Sequence, residues 1–222
     1  LDLRRSGNDL VRDAKVVAIL GRLLPSLEVY GYRPEVAFLK TQADLTARVM
    51  RIFEQDGAKK VRIDLRIRAA EALGRGGDPR LKAEEREKRL IPVSGTEIWL
   101  GKYPVTVEEY QRFLEDRGYE DPQWWSPDGW KARAQGGWVE PGGWLEQLSA
   151  PNRPVVSVSW HEAEAYCRWL SSLMQGHQIR LPRESEWKAA AVADQGEYLW
   201  GNDAPSREIA NFDNNVGSAN PV

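Results

Sequence analysis

The sequence predicts an α+β protein in two parts, an all-helical region over residues 1–88 and a mixed region over residues 89–222. Three observations carry this. Apolar residues recur at three- and four-residue spacing through most of the first 73 positions, the period of an amphipathic helix. From Ile91 that pattern gives way to β-branched and aromatic residues broken by Gly and Pro, as short strands require. All ten tryptophans lie between Trp99 and Trp200, so the two regions differ in the residues that supply the most apolar area.

Residues 1–8 are polar and predict a frayed start. Between Asp9 and Leu24, the stripe Leu10, Ala14, Val17, Leu20 and Leu24 is widened by Val16, Ile19 and Leu23. A helix apolar over so much of its girth is expected to be well buried, and Pro25 is expected to stop it. The second helix takes Pro34 as its first position and repeats Val36, Leu39, Ala43, Ala47, Met50 and Phe53 until Gly57. A third runs over Val61–Leu73 and ends in the glycines of LGRGGDP. The charge run KAEEREKRL reads as a solvated helical face or linker.

In the second region IPVSGTEIWLGKYPVT predicts short strands. Thr106 and Glu109 form a capping box, opening a helix that carries Val107, Tyr110, Phe113 and Leu114 and closes at Gly118. Residues 118–154 predict a long irregular loop stapled to the core by Trp124, Trp125, Trp130, Trp138 and Trp144, with a ligand-facing role open for some of these indoles. Val155, Val156 and Val158 predict a short buried strand. Ser159 and Glu162 form a second capping box, and Trp160, Ala163, Cys167, Leu170 and Met174 give the helix it opens an apolar face that ends at Gly176. After the turn at Leu181-Pro182 a last helix is expected, with Trp187 facing Trp160 and Trp169 in the core.

PVVSVSWHEAEAYCRWL followed by IRLPRESEWKAAA, with LGKYPVTVEEYQRFLE upstream and YLWGNDAPSREIANFD downstream, closely resembles the formylglycine-generating (sulfatase-modifying factor) family. The resemblance implies a modified C-type lectin-like fold for residues 89–222. It implies a C-terminally incomplete one, because the family's block with its catalytic cysteine pair is not among these residues. RIRAAEALGRGGDPRL is similar to a short helical element found ahead of such domains. One position departs from the family pattern. Arg183 stands where a capping Thr is usual, so that helix start should be weaker by about 1 kcal/mol.

The formal net charge of −2 gives no electrostatic drive toward nucleic acid or an anionic membrane. The longest apolar run is far too short to span a bilayer, and LDLRRSGN carries no signal-peptide core. A single cysteine permits no internal disulfide, which suits a reducing, cytoplasmic setting. That residue, Cys167, matches a non-catalytic position of the family and reads as a small buried hydrophobe. His161 and His177 lack the spacing of a metal site. The iron-dependent sulfoxide synthases that resemble this family place a His-rich helical bundle before the same domain, whereas residues 9–73 contain no His at all. No catalytic or organic-cofactor residue is assigned. For metal, Asn211, Asp213 and Asn215 offer hard oxygens, and a polar turn explains them equally well. The resemblance implies a structural calcium held by Asn211, the Phe212 carbonyl, Asp213 and the Asn215 carbonyl.

Two functions are compatible with these residues. The first is a ligand- or partner-binding display protein, of the kind used as the variable protein of diversity-generating retroelements, engaging a protein or other macromolecule through its C-terminal lectin-like face. The second is a copper-dependent formylglycine-generating oxidase acting on a substrate cysteine, its own cysteines lying beyond residue 222. With no active site in view, the sequence favours the first.

Overall fold

The computed structural model describes residues 7–54, 60–82, 86–191, 198, 201–206, 209–211 and 218–222. The chain divides into two compact units. One comprises Leu1–Arg86, Ser149–Arg153 and Ser218–Val222, and the other Glu87–Leu148 and Pro154–Gly217.

The first unit is built on α1 (Gly7–Glu28), α2 (Val36–Met50) and α3 (Ile63–Gly74). Its core is small-residue rich: Ala14, Val17, Val49, Ile52, Ala69, Ala72 and Leu73. Small side chains let backbones approach closely. A Cβ on Gly76 would meet the Ala18 carbonyl carbon at 2.4 Å, so this glycine is held by packing. Burial on α1 is confined to one face, because Ile19 is 61% exposed while Val17 and Ala18 are covered. Pro25 does not stop α1, contrary to expectation. A proline costs the helix one N–H bond, and here α1 absorbs that loss and runs three residues further. The chain then turns where Tyr30 and Tyr32 donate to the Leu27 carbonyl, with Gly31 at φ +79. On α2 the periodic residues Val36 and Leu39 are exposed, and burial is reached only at Val49 and, in the following 3-10 turn, Ile52.

A buried polar network ties the late segments into this unit. Asn152 is almost fully covered, and its Nδ2 donates to the Ala70 carbonyl at 2.7 Å and to Asp78 Oδ2 at 3.1 Å. Gly74 must lack a side chain here, since a Cβ would stand 2.1 Å from Asn152 Oδ1. Asp78 caps the turn Pro79–Leu81 and takes the Arg80 guanidinium side-on, at 3.0 and 2.6 Å. Arg80 in turn lies 3.9 Å over the Phe53 ring. The Val222 amide donates to the Asn152 carbonyl at 3.0 Å.

The second unit is mixed, with little sheet among the described residues. Its strands β1 (Leu90–Pro92) and β2 (Trp99–Gly101) pair antiparallel, Ile91 opposite Leu100. Helices α4 (Val107–Glu115), α5 (Pro127–Gly136), α6 (Trp144–Gln147), α7 (Trp160–Leu173) and α8 (Glu184–Ala191) follow. Both capping boxes form as the sequence predicts. The segment between α4 and α7 is not the irregular loop expected. Ser126 caps α5, Pro127 takes its first turn and Gly137 closes it at φ +63. Stapling holds for Trp125 and Trp144, which are buried, and Trp124, Trp130 and Trp138 pack against the same core.

Val155–Val158 is not a buried strand either. An isolated bridge, Thr106 opposite Pro154, and the Val155 amide donating to the Val105 carbonyl at 2.9 Å hold it beside the start of α4, and Val156 is 45% exposed. The Gln147 side chain acts as its neighbour, accepting from the Val156 amide and donating to its carbonyl at 2.9 and 3.1 Å.

Trp160 and Trp187 are corrected too. Both lie largely in the open, at 61% and 62% exposure. The buried residues of α7 are Glu162, Ala165, Tyr166, Cys167, Trp169 and Leu170, and Trp160, nine residues ahead of Trp169, stands half-way round from it on a helix of 3.6 residues per turn. Trp187→Ala should therefore change unfolding free energy by no more than about 0.5 kcal/mol, as exposed substitutions do; a denaturation curve reads this directly. At the start of α8, Arg183 offers no cap, yet Glu186 reaches back to the Arg183 amide at 2.7 Å and is itself gripped by Arg180 at 2.7 and 2.6 Å. The Arg180 bond, then the Arg183 amide, lower the Glu186 carboxyl to about 2.

Candidate functional site

The most constrained polar chemistry of the second unit lies between α4 and α7. Tyr110 of α4 and Tyr166 of α7 stack at 5.1 Å, and Phe113 meets Trp169 at 5.5 Å. Inside this aromatic wall runs a hydrogen-bonded line. The hydroxyls of Tyr110 and Tyr119 are 3.1 Å apart, and Tyr119 donates to Glu162 Oε1 at 2.5 Å. The other Glu162 oxygen takes the Ser159 amide at 2.6 Å as the return half of the capping box. Glu109 repeats the device: one oxygen serves Thr106, and the other accepts from Arg89 at 2.7 Å. In each box a single glutamate caps its helix and fastens it to a second segment.

Burial is the main force raising the pKa of both Tyr110 and Tyr119, with Glu162 adding to it. Both phenols stay protonated at neutral pH and serve as donors that orient, not as bases.

The sequence reading gave neither the thiol nor the two imidazoles a catalytic role. Cys167 is buried on α7, and burial, helped by Glu164, pushes its thiol up to about 11. Thiolate is the nucleophilic and metal-ligating form, so Cys167 is inert at neutral pH. Native protein should resist iodoacetamide at pH 7.5 while denatured protein alkylates fully, which intact mass spectrometry resolves. His161 packs edge-on against Trp160 at 5.4 Å, and His177 is exposed beyond α7. Among the described residues no group of three or more His, Cys, Asp or Glu could hold a metal ion. Their donors therefore fit neither a copper–thiolate nor an iron–histidine centre. Of the expected calcium ligands, Asn211 is described and exposed, while Phe212, Asp213 and Asn215 lie outside the described residues. As a donor set they are all oxygen, which suits calcium chemically. The sequence reading missed the Tyr110–Tyr119–Glu162 line. Its one signal was the capping-box glutamate, whose second oxygen has to go somewhere.

Comparison with known proteins gives the following. The sulfatase-modifying factor enzyme 1-like domain matches residues 68–220. A hercynine oxygenase of Mycolicibacterium smegmatis is 32% identical over 161 residues, covering 65% of this chain and 35% of that protein. A formylglycine-generating enzyme of Thermomonospora curvata is 29% identical over 158 residues, 60% of this chain and 50% of that protein. An inactive C-alpha-formylglycine-generating enzyme 2 of Bos taurus is 39% identical over 122 residues, 53% of this chain and 36% of that protein. The chain thus spans between about a third and a half of each of these curated relatives. No helix among the described residues is long and apolar enough to cross a membrane.

Proposed function

The chain belongs to the sulfatase-modifying factor enzyme 1-like family, and on that premise we propose that it is the scaffold part of an oxidative enzyme, a formylglycine-generating oxidase acting on a substrate cysteine. The observation that carries this is the match over residues 68–220 together with relatives named formylglycine-generating enzyme and hercynine oxygenase. The display role favoured by the sequence alone finds no support among them. In this reading the described residues build and orient the domain. The lectin-like arrangement is the family's, and the locked phenol–carboxylate line between α4 and α7 keeps its central helices in register. Cys167 takes no part. The reading requires reacting cysteines from outside these 222 residues, and copper, when bound to them, would activate oxygen for the thiol. A structural calcium at Asn211, Phe212, Asp213 and Asn215 belongs to the same proposal.

A second reading is an oxygenase of the hercynine type, which the 32% identity over 161 residues favours. One experiment separates them. The full-length protein is given a cysteine-bearing peptide with copper, or hercynine with a thiol donor and iron, in air. A hydrazide-trappable aldehyde on the peptide supports the first reading, and consumption of hercynine supports the second. No turnover in either arm by folded, metal-loaded protein returns the chain to a binding role.

A further inference from the structure

The first unit carries an apolar face that its own core does not cover. On α1, Val16, Ile19 and Leu23 recur at three- and four-residue spacing and are 37%, 61% and 46% exposed. The core takes the other side of the helix, through Ala14, Val17 and Ala18. The sequence makes α1 apolar over most of its girth, and the unit satisfies only part of it. Beside the uncovered face runs a groove of about 480 Å³, formed by Ile19 and Leu23 with Ala72 of α3 and Gly76 just past its end. Its floor is low because Ala72 and Gly76 have little or no side chain, and Gly76 is fixed there by its packing on Ala18. The charged residues that line it, among those described, are Lys15 and Arg75, both exposed and both cations; no carboxylate lines it.

Scattered exposed apolar residues are ordinary on a protein surface. Three in register along two turns of one helix, edging a groove, mark an interaction face. Their spacing names the shape of the occupant. Positions i, i+3 and i+7 form the seam along which a second helix lies, and a groove floored by small residues is where its larger side chains enter. Charge names its chemistry, since Lys15 and Arg75 call for carboxylates beside the occupant's apolar stripe. A second copy of this chain docking by the same groove would bring another Lys15 and Arg75, cation against cation. We propose that the groove receives an amphipathic helix of a partner protein, its apolar stripe laid on Ile19 and Leu23 and its flanking carboxylates toward Lys15 and Arg75. The proposal goes beyond the oxidative reading and stands without it, since α1 lies outside the matched residues 68–220 that carry that reading.

The probes are two synthetic helical peptides of about three heptads, alike in leucine at a and d and differing in glutamate or lysine at e and g. Each carries a fluorophore and is titrated with the intact chain, binding being read by anisotropy. The glutamate peptide should bind saturably and at least about tenfold more tightly than the lysine peptide, a gap that narrows at high salt. Ile19→Asp, at an exposed position where melting should stay that of the parent, should remove binding of the glutamate peptide. Lys15→Glu should weaken the glutamate peptide and strengthen the lysine one. No saturable binding of the glutamate peptide by folded protein overturns the proposal, and so does equal affinity for the two peptides or binding that survives Ile19→Asp. Sedimentation of the chain without peptide checks the other occupant: a dimer that Ile19→Asp dissolves assigns the groove to a second copy and likewise overturns the proposal. None of these results depends on whether the oxidation assay succeeds.

Discussion

Trp169→Ala is expected to destabilise the second unit by about 3–5 kcal/mol, the range for removing a large aromatic from a packed core. Trp169 is 2% exposed, its ring lies against Phe113 at 5.5 Å and Tyr166 at 5.3 Å, and its Nε1 donates to Asp116 at 3.0 Å. Alanine would open a cavity between α4 and α7 and leave that carboxylate short of a donor. Trp169→Phe separates the two losses: it keeps most of the volume and forfeits the hydrogen bond, so it should cost far less. Urea denaturation followed by circular dichroism measures both. A cost under about 1 kcal/mol for the alanine variant would show that Trp169 does not organise this core.

Asp78→Ala should weaken the first unit by a comparable amount, about 3–5 kcal/mol, for a different reason. Asp78 is completely covered and Arg80 is 11% exposed, so removing the carboxylate takes the counter-charge from a buried guanidinium that keeps its bond to the Val222 oxygen. It also takes an acceptor from Asn152. Most of the loss is the buried charge deprived of its carboxylate, not the worth of the pair. Adding Arg80→Met to Asp78→Ala should therefore recover much of the stability, because methionine keeps an apolar partner for the Phe53 ring without the charge. If the double variant is less stable than Asp78→Ala, the ion pair itself was a net contributor.

What could be read from the sequence was local or familial. Thr106 with Glu109, and Ser159 with Glu162, announce their helices because a capping box is complete within four residues. Ser126, Pro127 and Gly137 announced α5 in the same language, but the five neighbouring tryptophans made the stretch look like a stapled loop. Which way a helix faces was less accessible. Spacing puts Trp160 on one stripe with Cys167, Leu170 and Met174, which are buried, and position after the Leu181-Pro182 turn puts Trp187 in the core, yet both indoles are exposed. On α7 the decision went to Glu162, drawn inward by Tyr119 and thereby turning Trp160 out. Asn152 was beyond local reading altogether, since its partners lie 82 and 74 positions earlier in the chain. The oxidative reading came from kinship, because among the described residues no group of three or more His, Cys, Asp or Glu could hold a metal ion.

The Asn152 network has a consequence for the order in which the protein is made. The helices of the first unit are translated well before two of its pieces, Ser149–Arg153 and Ser218–Val222. Until they arrive, the notch over Gly74 is empty and the Ala70 carbonyl and Asp78 lack the amide that completes them. At roughly 5–20 residues per second the nascent helices must wait several seconds or more for their closing contacts. Non-local closure of this sort is slow by nature. A fragment cut at residue 86 would be permanently in that unfinished state, so the helices of the first unit are made well before the contacts that complete them.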